Sequence, residues 1–410
     1  MPTTSSTSPS LKRALSLPLL TFYGLGTIVG AGIYVLVGAV AEKAGMFTPV
    51  SFVLAATIAG FTAFSYAELS SRLPRSAGEA LYIQAAFQRP WLASLTGWSV
   101  VFIGITSAAT IANGYVGYLQ VFISLPDWLA IVILVGALGV VAAWGIRESV
   151  GLAALITLIE IGGLVYVVLM NTDALLSLPQ RWTELVPPVN GLIWSGILLG
   201  AFLAFYAFIG FEDMVNVAEE VKDAPRTLPR AIVLALLIAS GLYLLIAVVA
   251  VLALPVDTLA ASDAPLATLL AASGQHHRLL ISGISLIAVI NGALIQIIMA
   301  ARVLYGMGSS QLAPVFLARI HPRTRTPLLA TVLVSLAVLI LALWLPLVAL
   351  AQLTSLITLA IFTGVNLALI RLKQRIDAPQ GSIQIPIWAP WTAALLCLLI
   401  LIFQITGISA

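Results

Sequence analysis

The chain has 410 residues, of which 61% are hydrophobic and only 9% charged, with a mean hydropathy of +1.10. A soluble domain carries about 25% charged residues, so this chain lacks the polar surface to cover a water-soluble globule, and its expected surroundings are the lipid bilayer. The formal charge of +3 lies in loop arginines and gives no reason to expect a nucleic-acid partner, while the single Cys397, set in an apolar run, excludes an internal disulfide and any cysteine-based metal site.

The polar opening MPTTSSTSPS (1–10) is expected to be disordered and is followed by Lys12 and Arg13. The apolar run behind it, from Ala14 to about Ala41, exceeds the ~7–15 residues of a signal-peptide core and is read as a retained first span. Hydropathy and punctuation then place spans at 15–40, 48–69, 90–121, 128–146, 150–170, 191–215, 231–254, 279–306, 327–346, 348–371 and 387–406. With the N-terminus in the cytoplasm, all of the nineteen Lys and Arg except Lys43, Arg181 and Arg278 fall on the inner side. Such a split favours eleven spans with the C-terminus outside. Trp91, Trp128, Trp182, Trp388 and Trp391 fall at span ends, where amphipathic rings favour the headgroup layer.

The first span contains GTIVGAGIYVLVG (26–38), preceded by Gly24. Gly26 and Gly30 form a small-residue spacing suited to helix packing. The same glycines suit a helix broken between Ile28 and Ile33. The free N–H groups and positive dipole end of its second half would then hold a carboxylate, and unwound carbonyls before the break would accept from an ammonium group. Five spans further on, the sixth is likewise interrupted by Gly210, flanked by Tyr206 and Phe208 and followed by Glu212 and Asp213. Paired interruptions at corresponding places in two halves point to a site between inverted repeats.

These stretches resemble those of the amino acid–polyamine–organocation (APC) transporter family. GTIVGAGIYVLVG resembles its first-helix signature, and YAELSSRLPRSAGEALYIQAAF (66–87) its second-to-third helix loop. YAFIGFEDMVNVAEEVKDAPRTLPRAI (206–232) resembles its sixth helix, and ARVLYGMGSSQLAPVFLARIHPRTRTP (301–327) the end of its eighth. The resemblance implies an all-α polytopic membrane protein with a LeuT-like five-plus-five inverted repeat and discontinuous helices one and six. Residues 1–410 would be one transport domain, 14–171 and 190–375 its two repeats, and 387–406 an extra eleventh span. Most relatives have twelve spans, which leaves oligomeric contacts of a twelfth open.

Carried over by position, the resemblance puts carboxylate-binding backbone at Gly30, Ala31 and Gly32, and ammonium-binding carbonyls near Ile28 and from Phe205 to Phe208. Tyr206 would cover the substrate from outside, Ile209 and Gly210 would line the break, and Gln296 would face the substrate or bond another helix. Ala108 and Phe208 are expected among the apolar walls. Glu212 matches a glutamate tied to gating and proton sensitivity in antiporter relatives, with Asp213 expected too near the cytoplasmic half to share that role. Glu160, in LITLIEIGGLVYVV, stands where some proton-coupled relatives carry lysine. A carboxylate inside a span is functional by default, so Glu160 is expected to carry protons or ligate a cation.

Asn113, Asn291 and Asn366 are read as helix-to-helix glue. Glu219, Glu220, Lys222, Asp223 and Arg226 are read as cytoplasmic charge that could pair with the basic second-to-third loop as an inner gate. His276, His277 and His321 fall in predicted loops, so no histidine relay or metal site is expected. Nucleophile, base and metal-ligand constellations are absent from the spans and no Gly-x-x-x-x-Gly-Lys loop occurs, which argues against an enzyme and against a bound cofactor. The expected activity is secondary active transport of a neutral or apolar amino acid, driven by protons or another ion gradient across a plasma membrane. Exchange of one amino acid for another, or amino acid sensing without transport, are the alternatives.

Overall fold

The computed structural model describes residues 13–75, 78–144 and 150–406. The tail 1–10, Lys12, Arg147 and the loop residues Ser76 and Ala77 lie outside the described residues, as does the side chain of Ala31. Among the described residues the chain is helical with no strand; one isolated bridge joins Leu15 to Val221.

The first apolar segment forms two helices, α1 (Leu17–Ile28) and α2 (Ala31–Ala44), with Gly30 as the N-cap of the second. They lead into α3 (Thr48–Arg72), a short helix α4 (Gly78–Phe87), α5 (Pro90–Leu119), α6 (Asp127–Trp144) and α7 (Val150–Met170). The sixth segment is α8 (Gly191–Phe205), a 3₁₀ turn (Tyr206–Phe208), the junction Ile209–Gly210 and a 3₁₀ stretch (Phe211–Glu220). Then follow α9 (Ala224–Ala253), α10 (Gln275–Ser309), α11 (Leu328–Trp344), α12 (Leu347–Lys373) and α13 (Trp388–Thr406). Among the described residues nine stretches are long and apolar enough to cross a membrane, and α1 and α11 are shorter apolar helices.

Local chemistry explains several ends. Proline in the first turn of α1, α3, α5 and α9 sits where its missing N–H would lack a partner anyway. The Asn190 side chain caps α8 by accepting from the N–H groups of Leu192 and Ile193. The loop read between the second and third spans contains α4, and the eighth helix begins at Gln275, so His276 and His277 lie in its first turn rather than in a loop.

The most extensive packed seams run between α5 and α10 and between α3 and α9, while α1 packs on α9 and α8 packs on α2 and α3, so the broken segments lie among long continuous helices. Asn113 donates from α5 to the Ala342 carbonyl at 3.1 Å, and Asn366 donates from α12 to Thr62 Oγ1 at 3.1 Å, both joining helices. On the outer surface many Leu, Ile and Val side chains are exposed, and the five tryptophans named above are exposed near helix ends. So much apolar surface suits acyl chains rather than water.

At the end holding the α3–α4 loop, Glu68 is fully buried. It accepts from Arg72 at 2.6 Å, Lys373 at 2.8 Å and the Ile385 N–H at 2.8 Å. Arg72 also donates to the Pro379 carbonyl, and Ser382 donates to the Pro225 carbonyl. The segment before α13 is thus tied across α3, α9 and α12. Arg72, at the end of α3, is held here by Glu68, and Asp223 approaches Arg226 at 3.9 Å.

Candidate functional site

The two interrupted segments meet each other. The Thr27 hydroxyl donates to the carbonyls of Gly24 and Gly210, each at 2.9 Å, so the last turn of α1 is bonded to the junction after α8. Gly210 has φ of +124°, and a Cβ there would stand 2.4 Å from the Thr27 carbonyl oxygen. Only glycine meets both demands. Gly32 makes the reciprocal contact: a Cβ on it would lie 2.4 Å from Ala207 Cα.

Gly26 and Gly30 part company. A Cβ on Gly26 would strike Thr157 Oγ1 at 2.3 Å, so Gly26 is a packing glycine against α7. A Cβ on Gly30 would meet only the Gly26 carbonyl, at 3.9 Å, and Gly30 opens onto a cleft. That cleft is lined from α1 and α2 by Gly26, Thr27, Ile28, Gly30 and Gly32, and from the sixth segment by Tyr206 and Ile209. Ser107 and Ile111 line it from α5, and Gly292, Ile295 and Gln296 from α10. The contributions of α5 and α10 recur at helical spacing, which turns one face of each helix to the cleft.

At the start of α2 the first N–H groups have no carbonyl one turn back, and the dipole places partial positive charge there. At the end of α1 the Val29 N–H bonds the Leu25 carbonyl and the Tyr243 hydroxyl donates to the Ile28 carbonyl at 2.6 Å. The expected acceptor Ile28 is therefore already held, and Gly26 and Thr27 are the other late carbonyls of α1 that border the cleft. Tyr206 is fixed from α5, its hydroxyl 3.0 Å from Ser107 Oγ and 3.2 Å from the Ser107 carbonyl.

The structure separates other expected residues from the cleft. Phe208 is buried against Phe52 and Tyr243, and Phe205 against Phe362. Neither ring lines the cleft; the expectation for Phe205, which closes α8, concerned its carbonyl rather than its ring. Ala108 also stays outside, its neighbour Ser107 taking the facing position on α5. Gly210 contributes to the junction itself rather than to the cleft wall. Glu160 is fully buried on α7; Asn291 donates to its Oε1 at 3.4 Å, and its main-chain carbonyl accepts from the Tyr34 hydroxyl at 2.5 Å. It lines neither the cleft above nor the cavity beside it.

A second, smaller space shares Ile209 and Gln296 with the first. It is lined by Glu79, Glu212 and Asp213 with Thr358, Phe362 and apolar neighbours. Glu212 Oε2 accepts from the Gly210 N–H at 2.8 Å, and the Tyr66 hydroxyl donates to Glu79 Oε1 at 3.0 Å. Asp213, expected too near the cytoplasmic half, thus faces the same space as Glu212. Glu79 was not among the expected site residues. Its sequence surroundings read as a loop, and only the folding of that loop into α4 carries it inward. Among the described residues no group of three or more His, Cys, Asp or Glu has the geometry to hold a metal ion.

A family model described as amino acid permease matches residues 15–409. The chain is 29% identical to the branched-chain amino acid permease BcaP of Bacillus subtilis (strain 168) over 426 aligned positions, covering 97% of this chain and 89% of that protein. It is 31% identical to cationic amino acid transporter 4 of Homo sapiens over 401 positions, covering 92% of this chain and 62% of the human protein. It is 28% identical to the methylthioribose transporter of the same Bacillus strain over 404 positions, covering 93% of this chain and 86% of that one.

Proposed function

The chain belongs to the amino acid permease family, and from that premise we propose that it carries an α-amino acid with an apolar side chain by alternating access, coupled to protons. It is an integral multi-pass membrane protein, and its relatives are named as transporters rather than enzymes. The observation that carries the finer reading is the meeting of the two interrupted segments at one cleft. The substrate carboxylate lies at the N–H groups of Gly30, Ala31 and Gly32, where the dipole of α2 favours negative charge. The ammonium group lies toward the carbonyls of Gly26 and Thr27.

The remaining walls favour an apolar side chain. Ile28, Ile111, Ile209 and Ile295 line the cleft, and its side-chain polar groups are Thr27, Ser107, Tyr206 and Gln296. A pocket of that kind gains about 25 cal/mol for each Å² of apolar surface it covers. The name of the branched-chain relative supports the same direction.

In this reading 14–171 and 190–375 are two inverted five-span repeats, 387–406 is an eleventh span, and the N-terminus faces the cytoplasm of a plasma membrane. The segments around α1, α3, the sixth segment and α9 rock against the rest. Glu160 and Glu212 are the coupling carboxylates, and no cofactor beyond the ion gradient takes part. The test is transport in proteoliposomes with labelled leucine, isoleucine, valine, lysine and arginine under an imposed pH gradient. Uphill uptake of the apolar substrates is expected. Efflux that requires an amino acid on the opposite side, with no response to the gradient, assigns exchange instead.

A further inference from the structure

The cavity beside the substrate cleft gathers three carboxylates within one largely buried wall: Glu79 is 4% exposed, Glu212 7% and Asp213 5%. They come from two separate elements, α4 and the 3₁₀ stretch Phe211–Glu220. Among the described residues no Lys, Arg or His lines this cavity. Tyr66 from α3 and Tyr82 from α4 are the other titratable groups packed around it, while α5, α10 and α12 present Val100, Ile103, Gln296, Met299, Thr358, Ile361 and Phe362. Three negative charges lining one buried space in a medium of low dielectric repel one another and lose hydration, so they need a compensating positive charge.

The unpartnered atoms indicate which charge fits. Asp213 Oδ2, Gln296 Oε1 and Thr358 Oγ1 are buried without a hydrogen-bond partner among the described residues. Gln296 Oε1 accepts only, and an ionised carboxylate oxygen also accepts only. The Gln296 side chain hydrogen-bonds Asp213, and a proton on Asp213 Oδ2 would turn that unpartnered oxygen from an acceptor into a donor. Burial already pushes the Glu79 carboxyl above the usual carboxylate range, against the opposing pull of the Tyr66 hydroxyl.

Resting on the proton-coupled reading above, we infer that Glu79, Glu212 and Asp213 hold the coupling proton as one unit, and that Gln296 links it to the substrate cleft. Two contacts make the link. Gln296 lines both cavities, so its amide responds to what occupies either one. Glu212 accepts from the N–H of Gly210, whose carbonyl holds Thr27 at the end of α1. Protonation of Glu212 removes the charge assistance from that bond and loosens the junction between the two interrupted segments. The proton arrives from the outer solution with the substrate, is shared over the three carboxyl groups, and leaves from Glu79 to the cytoplasm. Proton and substrate binding are then mutually linked.

The experiment reads protons moved per amino acid in proteoliposomes, using a trapped pH dye and labelled leucine, for wild type, Glu79→Gln, Glu79→Asp, Asp213→Asn and Glu160→Gln. A lost proton signal per leucine in Glu79→Gln and Asp213→Asn, restored in Glu79→Asp, is the expected result. An unchanged ratio in both amide variants overturns the inference. Loss confined to Glu160→Gln also overturns it while leaving proton coupling intact. Wild type that moves leucine without protons removes the coupling reading itself. Where a variant transports too little, the leucine-induced thermal shift in detergent is followed against pH. A pH-dependent shift in wild type that becomes flat in Glu79→Gln and Asp213→Asn supports the unit, and an unaltered dependence in the variants contradicts it. A variant that alters only the response to lysine and arginine makes the cavity a side-chain subsite and also contradicts it.

Discussion

Replacing Gly32 by alanine tests how closely the two interrupted segments must approach. The new methyl would stand 2.4 Å from Ala207 Cα and 2.8 Å from Ala207 Cβ, against about 3.4 Å for ordinary contact. The obstacle is backbone, so α2 and the turn Tyr206–Phe208 must separate by about 1 Å at that point. Forcing one methyl into such packing costs about 1–3 kcal/mol of stability. The same displacement moves the N–H groups of α2 away from the site assigned to the carboxylate. Each hydrogen bond to a charged group is worth about 1.5–3 kcal/mol, so loss of one lowers affinity about 10–100-fold.

Two companions separate packing from binding. Gly30→Ala has no packing conflict, since its methyl would meet only the Gly26 carbonyl at 3.9 Å, yet that methyl enters the cleft. It should keep stability within about 1 kcal/mol and lose affinity. Gly38→Ala would strike the Leu259 carbonyl at 2.5 Å away from the cleft, and should lose stability with little loss of affinity. Detergent melting curves measure stability, and their dependence on leucine concentration measures affinity. Wild-type melting and affinity in Gly32→Ala would refute the close-approach reasoning.

Glu68→Gln removes the charge that holds Arg72 and Lys373 in a buried site, and should cost about 3–5 kcal/mol by thermal melting. Tyr206→Phe removes the hydroxyl bonded to Ser107 and should cost about 1 kcal/mol, with leucine affinity lowered by less than in Gly30→Ala. Ile295→Ala widens the apolar wall of the cleft and should shift preference from valine toward phenylalanine in competition assays.

The helical class and the two interruptions were legible because glycine in an apolar run is costly unless the backbone needs it, and Gly30 and Gly210 stand out on that ground. The same pattern could not divide labour among the glycines. Gly26 packs on Thr157 while Gly30 opens to the cleft, and only the positions of α7 and α2 decide that. Likewise Tyr206 turns to Ser107 while Phe205, at the end of α8, turns to Phe362 and Phe208, two places further on, to Phe52 and Tyr243. Ser107, Ile111, Gly292 and Ile295 carry a legible spacing but no chemical mark, since Ser, Gly and Ile are ordinary in apolar helices. Glu79 escaped notice because an acid in a loop is usually solvated, and its burial depends on the contact between α4 and the 3₁₀ stretch.

The most direct test of the central claim compares leucine with leucinamide in the detergent thermal-shift assay. The two share the ammonium group and the apolar side chain and differ in the carboxylate. Recognition at the start of α2 predicts a concentration-dependent shift with leucine and none with leucinamide. Equal shifts from both would contradict a carboxylate held by the Gly30–Gly32 backbone.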